Sequence, residues 1–201
     1  TGKVGSYGCS YLGENQYQLA AARHPNHTTA IPQAGGGGYV GTGRPFALLD
    51  GGVPDLASGL GWFWAAGAKT YAQIPQNLSD EKFESIAEYY QTYPNKPKTD
   101  LRKVFWTLPV IDMIKNNGNP IPSDFRDFFS HGPADPYWNN LHYVTNKDQF
   151  NVPALHVNSW YDGAVDETLR LFNLFRENAG SKRAADNQFV IISPTAHCKS
   201  E

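Results

Sequence analysis

The chain has 201 residues, of which 40% are hydrophobic and 18% are charged, and its formal net charge at pH 7 is −2. This composition supports a globular domain with a buried core and excludes a disordered or fibrous chain. There is no run of Lys or Arg, so we expect no nucleic-acid partner. Apolar runs are shorter than the roughly 18 to 20 residues of a membrane span, so we expect no membrane partner.

The first elements predict a strand, a sharp turn and a helix. Residues 3–7 form a short strand candidate, and residues 14–23 are rich in helix formers. Between them lies the segment Gly8-Cys9-Ser10-Tyr11-Leu12-Gly13. A second buried strand is predicted at residues 30–33, before a glycine-rich loop at 34–43. This βαβ order predicts parallel strands covered by helices.

The middle of the chain has a different pattern, with aromatic-rich helical pieces interrupted by prolines. Ser79 is a candidate N-cap for a helix whose apolar face would contain Phe83, Ile86, Ala87 and Tyr90. We predict that residues 39–148 form a helical cap over the Ser10 opening. The α/β core would then comprise residues 1–38, with the elbow, and residues 149–201.

The βα pattern returns in the last part of the chain. It predicts a strand at residues 152–157, a loop at 158–163 and a helix at 164–178. The apolar stripe of that helix would be formed by Val165, Leu169, Phe172 and Phe175. A final strand is predicted at 189–193, followed by a loop to His197. The predicted fold class is α/β, a mostly parallel sheet with helices on both faces.

Ser10 has the surroundings of an activated nucleophile. A serine hydroxyl needs a histidine to take its proton and a carboxylate to orient that histidine. In a nucleophile elbow, glycines allow a tight strand-to-helix turn that exposes the serine. Gly8 precedes Ser10 by two residues, but Gly13 follows it by three, where the common elbow has glycine two residues after. An ordinary glycine-containing βα turn is the alternative interpretation.

Two later loops favour the elbow. The catalytic residues of α/β-hydrolases follow the order serine, acid, histidine, each on a loop after a strand. Asp162 and His197 follow the two last predicted strands in that order. We therefore predict Ser10 as nucleophile, Asp162 as acid and His197 as base. The backbone N–H of Tyr11 is the predicted oxyanion donor.

Three segments resemble the family of X-prolyl dipeptidyl peptidases and cocaine esterase: residues 5–13, 152–162 and 191–197. The family elbow is Gly-x-Ser-Tyr-x-Gly, which accounts for the position of Gly13. Its acid is the Asp of a Trp-Tyr-Asp loop, which corresponds to Asp162, and residues 131–138 are similar to a segment of its cap. The resemblance implies an α/β-hydrolase fold. It also implies an upstream tyrosine as second oxyanion donor and a β-sandwich after the histidine, so we expect a piece of a longer protein.

The resemblance leaves the substrate pocket less defined. The family usually has Pro-Trp-x-His before the base, whereas this chain has Pro194-Thr195-Ala196-His197. We predict Trp138, Trp160 and Tyr161 as pocket residues and assign most of the other tryptophans to the core.

Other chemistries are less well supported. Cys9 as nucleophile would put Tyr7 where the elbow needs glycine, and Asp166 lies in the first turn of a helix, where the dipole favours a carboxylate in any case. The glycine-rich loop lacks the Gly-Lys-Ser/Thr ending of a phosphate loop. We predict no metal and no cofactor, since the remaining histidines lack metal-ligand spacing: His24, His27, His131, His142 and His156.

The two cysteines adjoin the predicted catalytic residues. Cys9 precedes Ser10 and Cys198 follows His197, so closing the site brings their backbones near the 4.4 to 6.8 Å of a disulfide. The arrangement resembles the tannase and feruloyl esterase group, in which cysteines flanking the serine and histidine are bridged. Two unrelated buried thiols are the alternative. A disulfide predicts export to the periplasm or medium, and free thiols would predict a cytoplasmic protein.

The predicted function is hydrolysis of a small-molecule ester or amide through an acyl-enzyme intermediate. An X-Pro dipeptidyl aminopeptidase of the same family is one alternative. A non-catalytic binding protein with an α/β-hydrolase fold is another, and the oligomeric state stays open.

Overall fold

A computed structural model describes residues 2–40, 49–50, 52–66, 79–82, 100–117 and 123–200. The chain divides into two compact units, one formed by residues 1–52 and 133–201 and the other by residues 53–132. The second unit falls inside the range 39–148 for which the sequence predicts an insertion. Its role as a cap stays a prediction.

The elements alternate between strand and helix at both ends of the chain. The N-terminal elements are β1 (Val4–Cys9), α1 (Tyr11–Ala21), β2 (His27–Gln33), a 3₁₀ turn (Gly36–Gly38), β3 (Leu49–Asp50) and β4 (Val53–Pro54). Two π-helical segments (Leu56–Leu60, Trp62–Ala66), α2 (Leu101–Val104), a 3₁₀ turn (Val110–Asp112), α3 (Met113–Asn116) and α4 (Phe125–Phe129) follow. The C-terminal elements are a 3₁₀ turn (Pro136–Leu141), β5 (Ala154–Tyr161), α5 (Val165–Glu177), α6 (Lys182–Asp186) and β6 (Gln188–Ala196).

In its described residues, the first unit is built on a four-stranded parallel sheet in the order β1-β2-β5-β6. Parallel strands need crossover connections, which α1 supplies between β1 and β2 and α5 supplies between β5 and β6. The predicted class, a mostly parallel sheet with helices as in a partial α/β-hydrolase fold, is confirmed.

The core of this unit lies where α1 and α5 cover the same face of the sheet. Tyr17 of α1 and Phe175 of α5 both pack on His156 of β5, with ring centroids 5.6 and 5.0 Å from the imidazole. Phe150 stacks on Phe175 at 3.8 Å. His156 is fully buried and is held by the Tyr17 hydroxyl on Nδ1 and by Gln188 on Nε2. These shared contacts hold both helices against the sheet.

Several predicted elements have different bounds in the structure. β5 continues through residues 158–161 and β6 through 194–196, where the sequence predicts loops. The strands extend through polar residues because the backbones stay paired there, with Ser159 opposite Ser193. The buried face of α5 is also shifted: it contains Leu171, Leu174 and Phe175 together with Glu167 and Thr168, whereas Val165, Leu169 and Phe172 are half-buried.

The second unit contains a cluster of phenylalanines. Phe63 packs against three rings of α4 with centroid distances of 5.2 to 5.9 Å: Phe125, Phe128 and Phe129. Ser79 Oγ accepts a hydrogen bond from the Lys82 N–H, as an N-cap does. The predicted apolar face that follows it, from Phe83 to Tyr90, lies outside the described residues.

The tryptophans divide between core and surface. Trp64 and Trp138 are buried, whereas Trp62 is 42% and Trp106 is 88% exposed, so the assignment of most tryptophans to the core is wrong for those two. Among the described residues, no helix has the length and apolar character needed to cross a membrane.

Candidate active site

Ser10 occupies a sharp turn between a strand and a helix. It follows the last residue of β1 and serves as the N-cap position of α1, with φ 61° and ψ −128°. Non-glycine residues rarely adopt positive φ, and such strain is typical of functional turns. The Ser10 N–H donates to the carbonyl of Gln33 at 3.0 Å, which ties the turn to the end of β2. Ser10 is half-buried at this turn.

The glycine spacing around Ser10 has a steric cause. A Cβ on Gly13 would lie 2.4 Å from the carbonyl oxygen of Gln33, and one on Gly8 would lie 2.7 Å from Leu12 Cβ. Leu12, where the common elbow has glycine, is 63% exposed. Glycine is needed three residues after Ser10 because that position, and not the one before it, touches β2.

His197 lies on a tight turn directly after β6. The Lys199 N–H donates to the Ala196 carbonyl at 3.0 Å, and Cys198 has φ 58°. Cys198 forms a disulfide with Cys9, with the Cα atoms 5.9 Å apart. The predicted disulfide is confirmed, and it links the histidine turn to the residue before Ser10.

The three predicted catalytic side chains form one hydrogen-bonded chain. His197 Nε2 lies 2.9 Å from Ser10 Oγ, and His197 Nδ1 lies 2.5 Å from Asp162 Oδ2. A carboxylate only accepts, so Nδ1 carries the proton and Nε2 is free to accept from the serine hydroxyl. The Ala164 N–H donates to Asp162 Oδ1 at 2.8 Å, so both carboxylate oxygens are engaged.

The acid and the base of the predicted triad differ in their exposure to solvent. The Asp162 side chain is only 3% exposed, whereas that of His197 is 52% exposed. The hydrogen bond to Asp162 raises the pKa of His197 above its usual value, against the opposing effect of partial burial. Asp162 therefore stabilises the imidazolium and holds the ring in one tautomer.

A cluster of hydroxyl groups surrounds the base of the histidine turn, and sequence reasoning did not identify it. Ser159 Oγ lies 3.0 Å from Thr195 Oγ1 and 2.6 Å from Ser200 Oγ. Ser200 also donates to the Asn158 carbonyl at 3.0 Å. The cluster joins the ends of β5 and β6 to the segment after His197. Serines and threonines at these spacings give no sequence signal, because the register of β5 and β6 and the turn after β6 bring them together.

Glu14 is a buried carboxyl group near the predicted triad that sequence reasoning did not single out. It lies one helical turn after Ser10, with its N–H bonded to the Ser10 carbonyl, and only 6% of the residue is exposed. Burial raises its pKa to about 8, an effect that attraction to His197 partly offsets. The sequence signal that could have identified Glu14 is its spacing of three residues from Tyr17, which places both on the buried face of the helix.

The remaining predicted positions are less closely defined. Tyr11 is the first residue of α1, where the backbone N–H has no partner within the helix. Trp160 and Tyr161 end β5 next to Asp162 and are 59% and 78% exposed, whereas Trp138 is 3% exposed. Their role in lining a substrate pocket stays a prediction.

The alternative residues have other partners. Cys9 is in the disulfide, and Asp166 pairs with Arg170 at 2.8 Å. His27 lies 2.9 Å from Ser6 Oγ, and His156 is part of the core. Within the part of the chain that the structure describes, no group of three or more His, Cys, Asp or Glu residues could hold a metal ion.

Comparison with known proteins identifies the family. Residues 1–199 match the family model described as X-Pro dipeptidyl-peptidase (S15 family). A cocaine esterase from Rhodococcus sp. (strain MB1 Bresler) is 25% identical over 207 residues, which cover 98% of this chain and 31% of that protein. The chain thus spans about a third of the length of this relative. With a hydrogen-bonded serine, histidine and aspartate on a parallel α/β sheet, and a family match over nearly its whole length, the chain belongs to the X-Pro dipeptidyl-peptidase (S15) family of serine hydrolases.

Proposed function

We propose that this chain carries the catalytic triad of a hydrolase that cleaves a small-molecule ester through an acyl-enzyme intermediate. Ser10 is the nucleophile, His197 the general base and Asp162 the acid. The observation that carries the proposal is the continuous hydrogen-bonded chain, with 2.9 Å from Ser10 Oγ to His197 Nε2 and 2.5 Å from His197 Nδ1 to Asp162 Oδ2.

In the first half-reaction, Ser10 Oγ forms a bond to the carbonyl carbon of the substrate while its proton passes to His197 Nε2. The π electrons of the carbonyl move to its oxygen, and the Tyr11 N–H at the start of α1 is placed to donate to that oxyanion. Collapse of the intermediate breaks the bond to the leaving alcohol, which takes the proton from Nε2. Asp162 stabilises the transient imidazolium.

In the second half-reaction, water attacks the acyl group on Ser10. His197 Nε2 accepts a proton from the water and then returns it to Ser10 Oγ as the acid product leaves. His197 is 52% exposed on its side chain, which leaves the imidazole open to water. The chain of proton transfers needs no cofactor.

The choice between ester and peptide substrates rests on the relatives. The cocaine esterase supports an ester, whereas the description of the family model supports release of an X-Pro dipeptide. We propose the ester because exposed Trp160 and Tyr161 beside Asp162 offer apolar surface to a small substrate.

Labelling with a fluorophosphonate probe tests the proposal. The full-length protein should be labelled at Ser10, and Ser10→Ala should abolish labelling and turnover while the circular dichroism spectrum is unchanged. Failure of the folded wild-type protein to label would favour a non-catalytic binding protein. Hydrolysis of p-nitrophenyl esters compared with X-Pro anilides would then separate an esterase from a peptidase.

We also infer that the protein acts in an oxidising compartment, outside the cytoplasm. The Cys9–Cys198 disulfide supports this inference, because such bonds persist mainly in exported proteins. Alkylation of the protein directly after isolation from its native compartment should find no free thiol. Two free thiols would contradict export.

A further inference from the structure

Glu14 is a buried carboxyl group beside the proposed triad, and the triad mechanism does not use it. Its side-chain oxygen Oε2 is buried and has no hydrogen-bond partner among the residues that the structure describes. Buried carboxyl groups without partners are costly, and in a site they are typically functional. An α-helix one turn after the nucleophile would tolerate many apolar residues, so this position calls for a chemical explanation.

The backbone around Glu14 is fitted to its side chain. A Cβ on Gly38 would lie 3.2 Å from Glu14 Cβ and 3.7 Å from Glu14 Oε2, and one on Gly35 would lie 2.6 Å from the Glu14 backbone N. Glycines at both positions let the segment after β2 close over the carboxyl group. This enclosure excludes water from the carboxyl group and strengthens any charge interaction that it makes.

The charged and titratable groups that face Glu14 come from three places. His197 Nε2 lies 2.9 Å from the Ser10 hydroxyl, and the Glu14 N–H donates to the Ser10 carbonyl at 3.0 Å. Through this short link the charge of His197 attracts that of Glu14. Tyr143 lies on the segment before β5, and its pKa is raised by burial and by the charges of Glu14, Tyr11 and Tyr137. Tyr11 is on the same helix as Glu14. Among these described groups, His197 is the one that becomes positive during acyl transfer.

We propose that Glu14 is a positioning residue that acts on His197 through space, as a second carboxyl group whose ionised form stabilises the imidazolium formed in the transition state. Glu14 makes no hydrogen bond to His197, which uses Nδ1 for Asp162 and Nε2 for Ser10. Its effect is therefore electrostatic and depends on whether it carries a charge. The inference rests on the proposed function of Ser10.

The pH dependence follows from the protonation of Glu14. With a pKa of about 8, the buried carboxyl group is neutral near pH 7 and becomes ionised at higher pH. The reactivity of Ser10 should rise once as His197 loses its proton, and a second time near pH 8. A change of one unit in the pKa of His197 corresponds to a tenfold change in the affinity of the imidazole for a proton. We therefore expect the second rise in the labelling rate of Ser10 to be roughly threefold to tenfold. Tyr143 stays protonated in this range because its pKa is raised.

The test measures the second-order rate constant for labelling of Ser10 by an uncharged fluorophosphonate between about pH 5 and 9.5. We expect two rises for the full-length wild-type protein and a single rise for Glu14→Gln, which keeps the shape of the side chain. Glu14→Asp keeps a carboxyl group and should retain a second rise. Asp166→Asn removes an exposed carboxylate that pairs with Arg170, so it should match the wild type.

A thermal unfolding series gives a second readout that is independent of Ser10. Because folding raises the pKa of Glu14 from 4.5 to about 8, the folded state holds the proton more tightly, and stability is lost as pH rises through that window. The Tm of Glu14→Gln relative to wild type should therefore be higher at pH 9 than at pH 5.

A single rise in the wild type, or two equal rises in wild type and Glu14→Gln, would overturn the role of Glu14 and leave the triad intact. Absence of labelling in the folded wild type at every pH would instead overturn the proposed function, and the role of Glu14 with it.

Discussion

At the scale of single residues, the strained backbone of Ser10 supports its proposed role as nucleophile. A serine at φ 61° gives up stability that a glycine would recover, because glycine adopts positive φ without a Cβ clash. We predict that Ser10→Gly is more stable than Ser10→Ala by about 1 kcal/mol, although both are inactive. Urea denaturation of the two variants measures the difference, and equal stabilities would mean that the turn is unstrained.

At the scale of elements, the contact between α1 and the end of β2 depends on Gly13. Its Cα faces the carbonyl of Gln33, so a side chain there must push the helix away from the sheet. We predict that Gly13→Ala lowers the free energy of unfolding by about 1 to 3 kcal/mol, the usual effect of overpacking. Because the same helix carries Ser10, labelling by a fluorophosphonate should also slow.

Gly163→Ala is the matched control for this substitution. It lies in the same unit beside Asp162, and a Cβ there would meet no atom within 4 Å. Stability and labelling should stay near wild type. A loss in Gly163→Ala as large as that in Gly13→Ala would attribute the effect to backbone flexibility and not to the approach of α1 to β2.

At the scale of the whole molecule, the disulfide joins the two ends of the α/β unit across a sequence separation of 189 residues. Closing so long a loop in the unfolded chain is worth up to about 5 kcal/mol in the chain-entropy model. It also holds the His197 turn beside Ser10. We predict that the Cys9→Ser/Cys198→Ser double variant unfolds at lower urea concentration and labels more slowly at Ser10.

Reducing the disulfide of the wild-type protein without denaturant gives a second way to test its role, for comparison with the double variant. A reductant that opens the bond should give the wild type the stability and labelling rate of the double variant, and should leave the double variant unchanged. If reduced wild-type protein kept both properties, the hydrogen bonds of Ser159 and Ser200 beside the turn would suffice to hold it.

The sequence by itself determined the residues whose chemistry is local. Ser10 with its glycines, and Asp162 and His197 each after a strand, could be singled out because an elbow and a strand end are properties of a few consecutive residues. The parallel βα order followed from alternation along the chain. The disulfide followed from the adjacency of Cys9 and Cys198 to two residues that must meet.

Only the tertiary structure decided what depends on distant segments. The polar ends of β5 and β6 are predicted as loops from the sequence. In the structure they are strands because residues such as Ser159 and Ser193 pair across the sheet. The buried face of α5 depends on where the rings of Tyr17 and Phe150 lie, because both pack on Phe175. Glu14 is an ordinary helix former by sequence, and only the fold shows that the backbone at Gly35 and Gly38 encloses it. Burial and electric field at a residue are produced by neighbours from elsewhere in the chain, so no local pattern encodes them.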